Sequence, residues 1–359
     1  MTSTKLKGGA IAAALAAFAA LPAAAADFSG KTIEWIIPFD TGGGSDVWAR
    51  FLAPLLGPNL PGKPVIVVKN VPGGGSITGA NQFAERAKPD GLTILGTSGS
   101  TQFPYLLDDT RVKYEYKDWE IVFGSPTGGV VFVDPSLGVA ATKDMAKLKG
   151  VALKYGAQNA TGLDLIPLLA FEIMGLNVDA VFGMKSRAEG RLAFERGEAK
   201  IDYQTSAAYL ESVVPLIKEK KAVPLFSWGV LNAKGEFARD PTFPDLPHFA
   251  EAYEMAFGKA PSGEAFDAYK AFVVSGFAAQ KMTFLPKGTS ADIVKTWRDA
   301  AAKTFAEPGF KEKARSELGE YDQVTGAPAE ALFKIAVNVD PKAKTWIKKW
   351  LTEKYNQKL

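Results

Sequence analysis

The sequence predicts an α/β fold of two domains, each a mixed sheet flanked by helices, and three observations carry that expectation. Short apolar runs alternate with helix-period segments through the first half, the pattern of a mostly parallel sheet. Loops rich in Gly, Ser and Thr stand at the C-terminal ends of the predicted strands. The chain has 359 residues; the first 26 read as a leader, and the remainder is long enough for two domains.

The leader opens with Lys5 and Lys7, continues through an apolar core from Ala10 to Leu21, and ends on Ala24-Ala25-Ala26. That is the make-up of a secretory signal peptide, with cleavage expected before Asp27. A membrane anchor is the rival reading, and the short, Ala-rich core disfavours it. No later stretch is long and apolar enough to span a bilayer. The chain contains no Cys, which removes disulfides, a thiol nucleophile and a lipoprotein anchor. Export without disulfides suits a periplasmic protein large enough to be held by its core. The net charge of +3 loses two positive charges with Lys5 and Lys7, and near-neutrality gives no support for nucleic-acid binding.

In the first unit, strands are predicted at Ile33–Pro38, Val65–Lys69, Thr93–Gly96 and Ile121–Phe123, with helices at Val47–Leu56 and Ile77–Ala87. A long strand at Val130–Val133 leaves it. The second unit alternates strands Val151–Tyr155, Val178–Phe182, Ile201–Tyr203 and Val223–Trp228 with helices Thr161–Met174, Arg187–Arg196 and Tyr209–Lys218. Asn232 to Pro247 reads as loop and a helical stretch starts at Phe249. Phe272–Phe277 and Lys281–Leu285 read as extended. Helices close the chain at Asp292–Ala306, Phe310–Leu318 and from Ala329 onward, the last as an amphipathic tail that packs Trp346, Trp350 and Tyr355. The second unit is thus inserted into the first: residues 27–125 and 230–359 form one domain and 126–229 the other.

Four loops carry the chemistry: Thr41–Asp46, Pro72–Thr78, Thr97–Thr101 and Gly156–Gly162. Ligands of open α/β sheets bind beyond the carboxyl ends of the strands. Three loops from one unit and one from the other therefore meet in an interdomain cleft. The run Pro38-Phe39-Asp40-Thr41-Gly42-Gly43-Gly44-Ser45-Asp46 aims the N–H groups of a helix start at one spot, a seat for an anion. The loops offer N–H groups and hydroxyls with little fixed charge, which suits a carboxylate or a polyol.

The candidate ligand contacts are Phe39, Thr41, Gly42, Gly43, Gly44, Asp46, Ser98, Ser100, Thr101, Gln158, Asn159, Thr161 and Asp202. Some have quieter readings. Asp46 can cap a helix and pair with Arg50, Gly73-Gly74-Gly75 can be a plain turn, and Asp202 can support a loop. Arg187 and Arg191, at i, i+4 spacing, either reach a ligand carboxylate or face solvent. Trp48, Trp119 and Trp228 belong to the core. His248 is the one histidine, no Gly-x-Ser-x-Gly elbow or P-loop occurs, and no cluster marks a metal site. No catalytic residue, metal or cofactor is expected.

Ile36-Ile37-Pro38-Phe39, Gly42-Gly43-Gly44-Ser45-Asp46 and Arg50, followed by Asn70-Val71-Pro72-Gly73-Gly74-Gly75 and Ala87-Lys88-Pro89-Asp90-Gly91-Leu92-Thr93-Ile94, resemble the substrate-binding proteins of tripartite tricarboxylate transporters, the Bug or TctC-like receptors. Leu285-Pro286-Lys287-Gly288-Thr289 continues the resemblance more weakly. It implies a type II periplasmic binding protein that closes like a flytrap on a small organic acid, a di- or tricarboxylate or an aromatic carboxylate. It also implies a monomer that delivers this acid to integral membrane subunits. The positions that match the family's carboxylate-holding loops are Phe39 to Asp46 and Thr97 to Thr101. The second-domain loop departs from the family pattern, with Asp164 near the place of a His. An exported hydrolase, or a receptor for a non-carboxylate feeding a sensor, are the alternatives.

Overall fold

The computed structural model describes residues 26–232 and 236–359; the signal-peptide expectation falls outside them. Its strands are β1 (Thr32–Ile37), β2 (Val65–Asn70), β3 (Thr93–Gly96), β4 (Glu120–Ser125), β5 (Gly129–Val133), β6 (Ala152–Ala157), β7 (Asn177–Phe182), β8 (Ile201–Thr205), β9 (Val223–Ser227), β10 (Val230–Leu231), β11 (Phe237–Ala238), β12 (Lys281–Leu285) and β13 (Val324–Thr325). The first sheet runs β13-β4-β12-β3-β1-β2. Within it β1 is parallel to β2 and β3, while β12 and β13 run antiparallel to their neighbours. Trp35 of β1, Trp48 of the following helix and Phe123 of β4 meet at ring separations of 5.0 to 6.0 Å and lock sheet to helix.

In the second domain β5 lies between β8 and β9, antiparallel to both, and β6 pairs in parallel with β7. Lys200 ties the two parts, since its N–H donates to Lys154 O at 3.0 Å and its carbonyl accepts from Asp134 N at 3.0 Å. Leu153, Tyr155, Leu169, Phe171, Tyr203, Phe226 and Trp228 fill the core beside them.

One expectation is corrected. Phe272–Phe277 is not extended: the helix Glu264–Val273 runs on through a π turn at Val274–Ala278. A short apolar run lacks a period that separates a buried strand from a buried helix, and the amphipathic Glu264–Lys270 segment before it decides for helix. The tail helix packs its apolar face as expected. The helix Pro341–Tyr355 buries Ala343, Ile347, Trp350 and Leu351 in the same core as Leu168, Phe171 and Tyr269 of the second domain's side. The chain therefore passes between domains three times: between β4 and β5, through Val274–Gln280, and again before Pro341. The first two passages touch, with Thr127 N donating to Phe277 O at 3.1 Å. No helix among the described residues is long and apolar enough to cross a membrane.

Candidate functional site: an interdomain cleft

The first glycine loop opens the helix Gly44–Leu56, with Gly43 at the N-cap and no side-chain cap. Asp46 does a different job. Its buried carboxylate accepts from Gly42 N at 3.0 Å, from Arg50 Nε at 2.9 and 3.0 Å, and from Asn70 Nδ2 at 3.0 Å. Asn70 Nδ2 also donates to Phe39 O at 3.0 Å, so one acid and one amide brace the whole loop. After β3, Ser98 caps the helix Gly99–Leu106 by accepting from Ser100 N at 3.1 Å.

Loops from the two domains touch directly. Ser100 Oγ accepts from Leu163 N at 3.0 Å, Asn159 Nδ2 donates to Gly74 O at 3.3 Å, and Asp40 N donates to Lys185 O at 3.2 Å. Thr161 Oγ1 donates to Asp109 at 2.8 Å and accepts from Arg111 Nη2 at 3.2 Å, while Arg111 grips Asp109 with Nε at 2.9 Å and Nη2 at 2.5 Å. Two glycines are required by this approach. A Cβ on Gly44 falls 1.9 Å from Thr205 Oγ1, and one on Gly75, which also has φ of +70°, falls 1.5 Å from Asn159 Nδ2.

Between the loops lies a cleft with about 20 Å³ of free volume. Phe39, Gly43, Gly44, Ser45, Ser98, Ser100, Gln280 and Lys281 line it from one domain, and Gln158, Leu163, Ser186, Arg187 and Thr205 from the other. The structure thus brings Phe39, Gly43, Gly44, Ser98, Ser100 and Gln158 of the sequence candidates together. It places others elsewhere. Thr41 is exposed, and Gly42 and Asp46 stand behind the loop they brace. Thr101 accepts from Tyr114 Oη through its carbonyl at 2.6 Å, and Asn159 and Thr161 serve the interdomain contacts.

Asp202, a ligand contact by sequence, is buried and bonded to the cleft-lining Arg187. Its carboxylate bonds Arg187 Nη2 and accepts from Gln204 Nε2 at 2.8 Å. Arg187 Nη1 donates to Gly156 O at 2.5 Å and to Asp164 at 3.1 Å. Its guanidinium sits between the rings of Tyr155 and Tyr203, at 4.9 and 4.7 Å. Burial works against the Arg187 charge, but Asp202 and Asp164 more than offset it and hold the group above its ordinary pKa. Burial also pushes Asp202 up, to about 6, against the pull of Arg187.

Sequence reasoning missed Lys281. It begins β12 and is 2% exposed. Its Nζ donates to Ser45 Oγ at 3.3 Å, and no carboxylate lies within ion-pair distance of it among the described residues. It also stands 3.8 Å from the point where a Cβ on Gly44 would lie, against the positive start of a helix. Burial depresses its pKa to about 7. The one signal in the sequence is the polar pair Gln280-Lys281 opening an apolar run.

Four cleft-lining residues hold a buried polar atom without a partner: Gln158 Nε2, Arg187 Nε, Thr205 Oγ1 and Gln280 Oε1. Such atoms are costly in isolation, and gathered round one cleft they are donors and acceptors for a polar molecule. His248 lies away from the cleft as the cap of the helix Phe249–Phe257, where its Nδ1 accepts from Glu251 N at 3.4 Å. No group of three or more His, Cys, Asp or Glu placed to hold a metal occurs among the described residues.

No family model matches the chain. Protein BugT of Bordetella pertussis is 42% identical to it over 81 residues, which are 23% of this chain and only 24% of BugT. Solved structures align over nearly their full length. The periplasmic binding protein BugD superposes with a TM-score of 0.67 at 20% identity, covering 91% of this chain and 99% of its own. MatC from Rhodopseudomonas palustris with bound malate gives 0.65 at 16% identity, covering 88% and 98%. A second R. palustris protein, with adipate, gives 0.67 at 18% identity, covering 91% and 98%. The fold is that of a two-domain periplasmic binding protein, and the sequence likeness to BugT is confined to those 81 residues.

Proposed function

We propose that this protein is an exported receptor that captures a small organic carboxylate in the interdomain cleft by domain closure. The observation that carries the reading is the convergence of polar loops from both domains on one cleft with unpaired buried donors and acceptors. The neighbours that hold malate and adipate support the ligand class. In this reading Ser98, Ser100, the N–H groups of the first glycine loop and Gln158 contact the acid. Asp46, Asn159 and Thr161 hold the loops that present those contacts. Delivery in the periplasm to the integral subunits of a tripartite transporter completes the proposal, and the chain acts there as a receptor rather than an enzyme.

A thermal-shift screen of residues 27–359 against mono-, di- and tricarboxylates, aromatic acids, amino acids and sugars tests it. Ligand binding to the native state alone raises the melting temperature, so at least one carboxylate class is expected to do so. A shift from a neutral compound with silence from every acid overturns the ligand class.

A further inference from the structure

We infer that the ligand carries a single carboxylate, held by Lys281, and that its other end is neutral. This rests on the receptor reading and specifies the charge class of its ligand. The cleft has two charged lining residues, Lys281 and Arg187. The charge of Arg187 is already matched: Asp164 and Asp202 both bond its terminal nitrogens, all three are buried, and its Nε is left as a single free donor. One cation against two carboxylates leaves the second-domain side with an excess negative charge. Lys281 is the opposite case, a buried ammonium whose one polar partner is the neutral Ser45 hydroxyl.

An anion is therefore drawn to the Lys281 end, where the helix start adds its own N–H groups. A second carboxylate, extended toward Gln158, would approach the Arg187–Asp164–Asp202 trio with no free cation on that side to receive it. What that side offers is three unpartnered groups, the Gln158 amide nitrogen, Arg187 Nε and the Thr205 hydroxyl, which suit a hydroxyl, keto or amide oxygen. One carboxylate pairs with Lys281, the lining cation that has no carboxylate partner, whereas a second would lie buried beside the excess negative charge of the trio with no cation of its own, an arrangement of high cost.

The test pairs each diacid with its half-amide, so that shape is kept and one charge removed: succinate with succinamate, malate with malamate, adipate with adipamate. Titration calorimetry at pH 7 on residues 27–359 is expected to find at least one half-amide binding tenfold or more tightly than its diacid. Equal or tighter binding of the diacids, with binding present, overturns the single-carboxylate inference and leaves the receptor reading standing. Silence from every pair and from the wider acid panel overturns both.

Lys281→Met and Lys281→Gln test the residue itself. Each is expected to weaken the tightest-binding half-amide by about tenfold to a hundredfold, the range for a lost hydrogen bond to a charged group. Melting temperatures of the free variants at or above wild type show that the fold is intact. Wild-type affinity in both variants overturns the role of Lys281.

Discussion

A Cβ on Gly44 meets Thr205 across the domain interface, so this substitution separates two effects that usually travel together. Gly44 stands at the start of a helix without positive φ, and alanine there favours the helix by up to about 1 kcal/mol. Gly44→Ala is therefore expected to leave the free protein as stable as wild type or slightly more so, and to weaken ligand binding by tenfold or more. Thr205→Ala in the same chain removes the colliding hydroxyl, and calorimetry should find part of the affinity restored. Lys281 makes a second prediction, on pH. Its folded pKa of about 7 lies below the ordinary 10.5. Between those values the unfolded chain holds the extra proton, so stability rises with pH across that window and the penalty is complete below it. At about 1.36 kcal/mol for every pH unit that separates the two values, the penalty is bounded at about 5 kcal/mol. Chemical denaturation at pH 6.5 and at pH 10 should find Lys281→Met more stable than wild type at the lower pH, with a smaller advantage at the higher.

The loop pair formed by Thr161 with Asp109 and Arg111 acts as a latch between domains and is not among the residues that line the cleft. Thr161→Val keeps the shape and removes both interdomain hydrogen bonds, along with the local one to Asn159. The expected result is a loss in ligand affinity of about tenfold, carried mainly by faster dissociation in stopped-flow traces, because the bonds exist only when the domains meet. The elements that build this latch are legible in the sequence to different degrees. Strands β1 to β4 and the glycine loops can be read because apolar runs and turn residues are local signals. So can Phe39, Gly43, Gly44, Ser98, Ser100 and Gln158, which lie on those loops. The pairing of Asp202 is not legible, because a carboxylate in a short strand gives no sign that an arginine from a different element, Arg187, will bond it. Lys281 escapes because lysine at a strand start is normally solvated. Its burial comes from β3 and β4 on either side and from the second domain above, none of which is local. The tail helix is recognisable as amphipathic, but the partner for its aromatic face depends on a third passage between domains that periodicity does not encode.

Over the whole molecule, the arrangement described is a closed one. Free volume of about 20 Å³ holds about one water, so entry of an organic acid is expected to part the domains. The parts that must yield are the passages between the domains, and one of them is braced by polar groups from both sides. Gly128 N donates to Ser206 Oγ at 3.2 Å, Ser206 Oγ meets Tyr321 Oη at 2.8 Å, and Tyr321 Oη donates to Asp240 at 2.5 Å. A ligand shifts the opening equilibrium only by as much as it prefers the closed state, and the groups that exist fully only there are the latch and the glycine-loop contacts. Small-angle scattering of residues 27–359, with the tightest acid from the screen at saturation, should therefore show the radius of gyration falling relative to the free protein. Gly44→Ala at matched saturation should keep the larger radius, because its Cβ stands where Thr205 must come. Tyr321→Phe removes the hydrogen bonds its hydroxyl makes to Ser206 and Asp240, and should change the rate of closure more than its end point. If the wild-type radius is the same with and without acid, and Gly44→Ala binds normally, the cleft admits its ligand without domain motion, and the glycines are there for the turn alone.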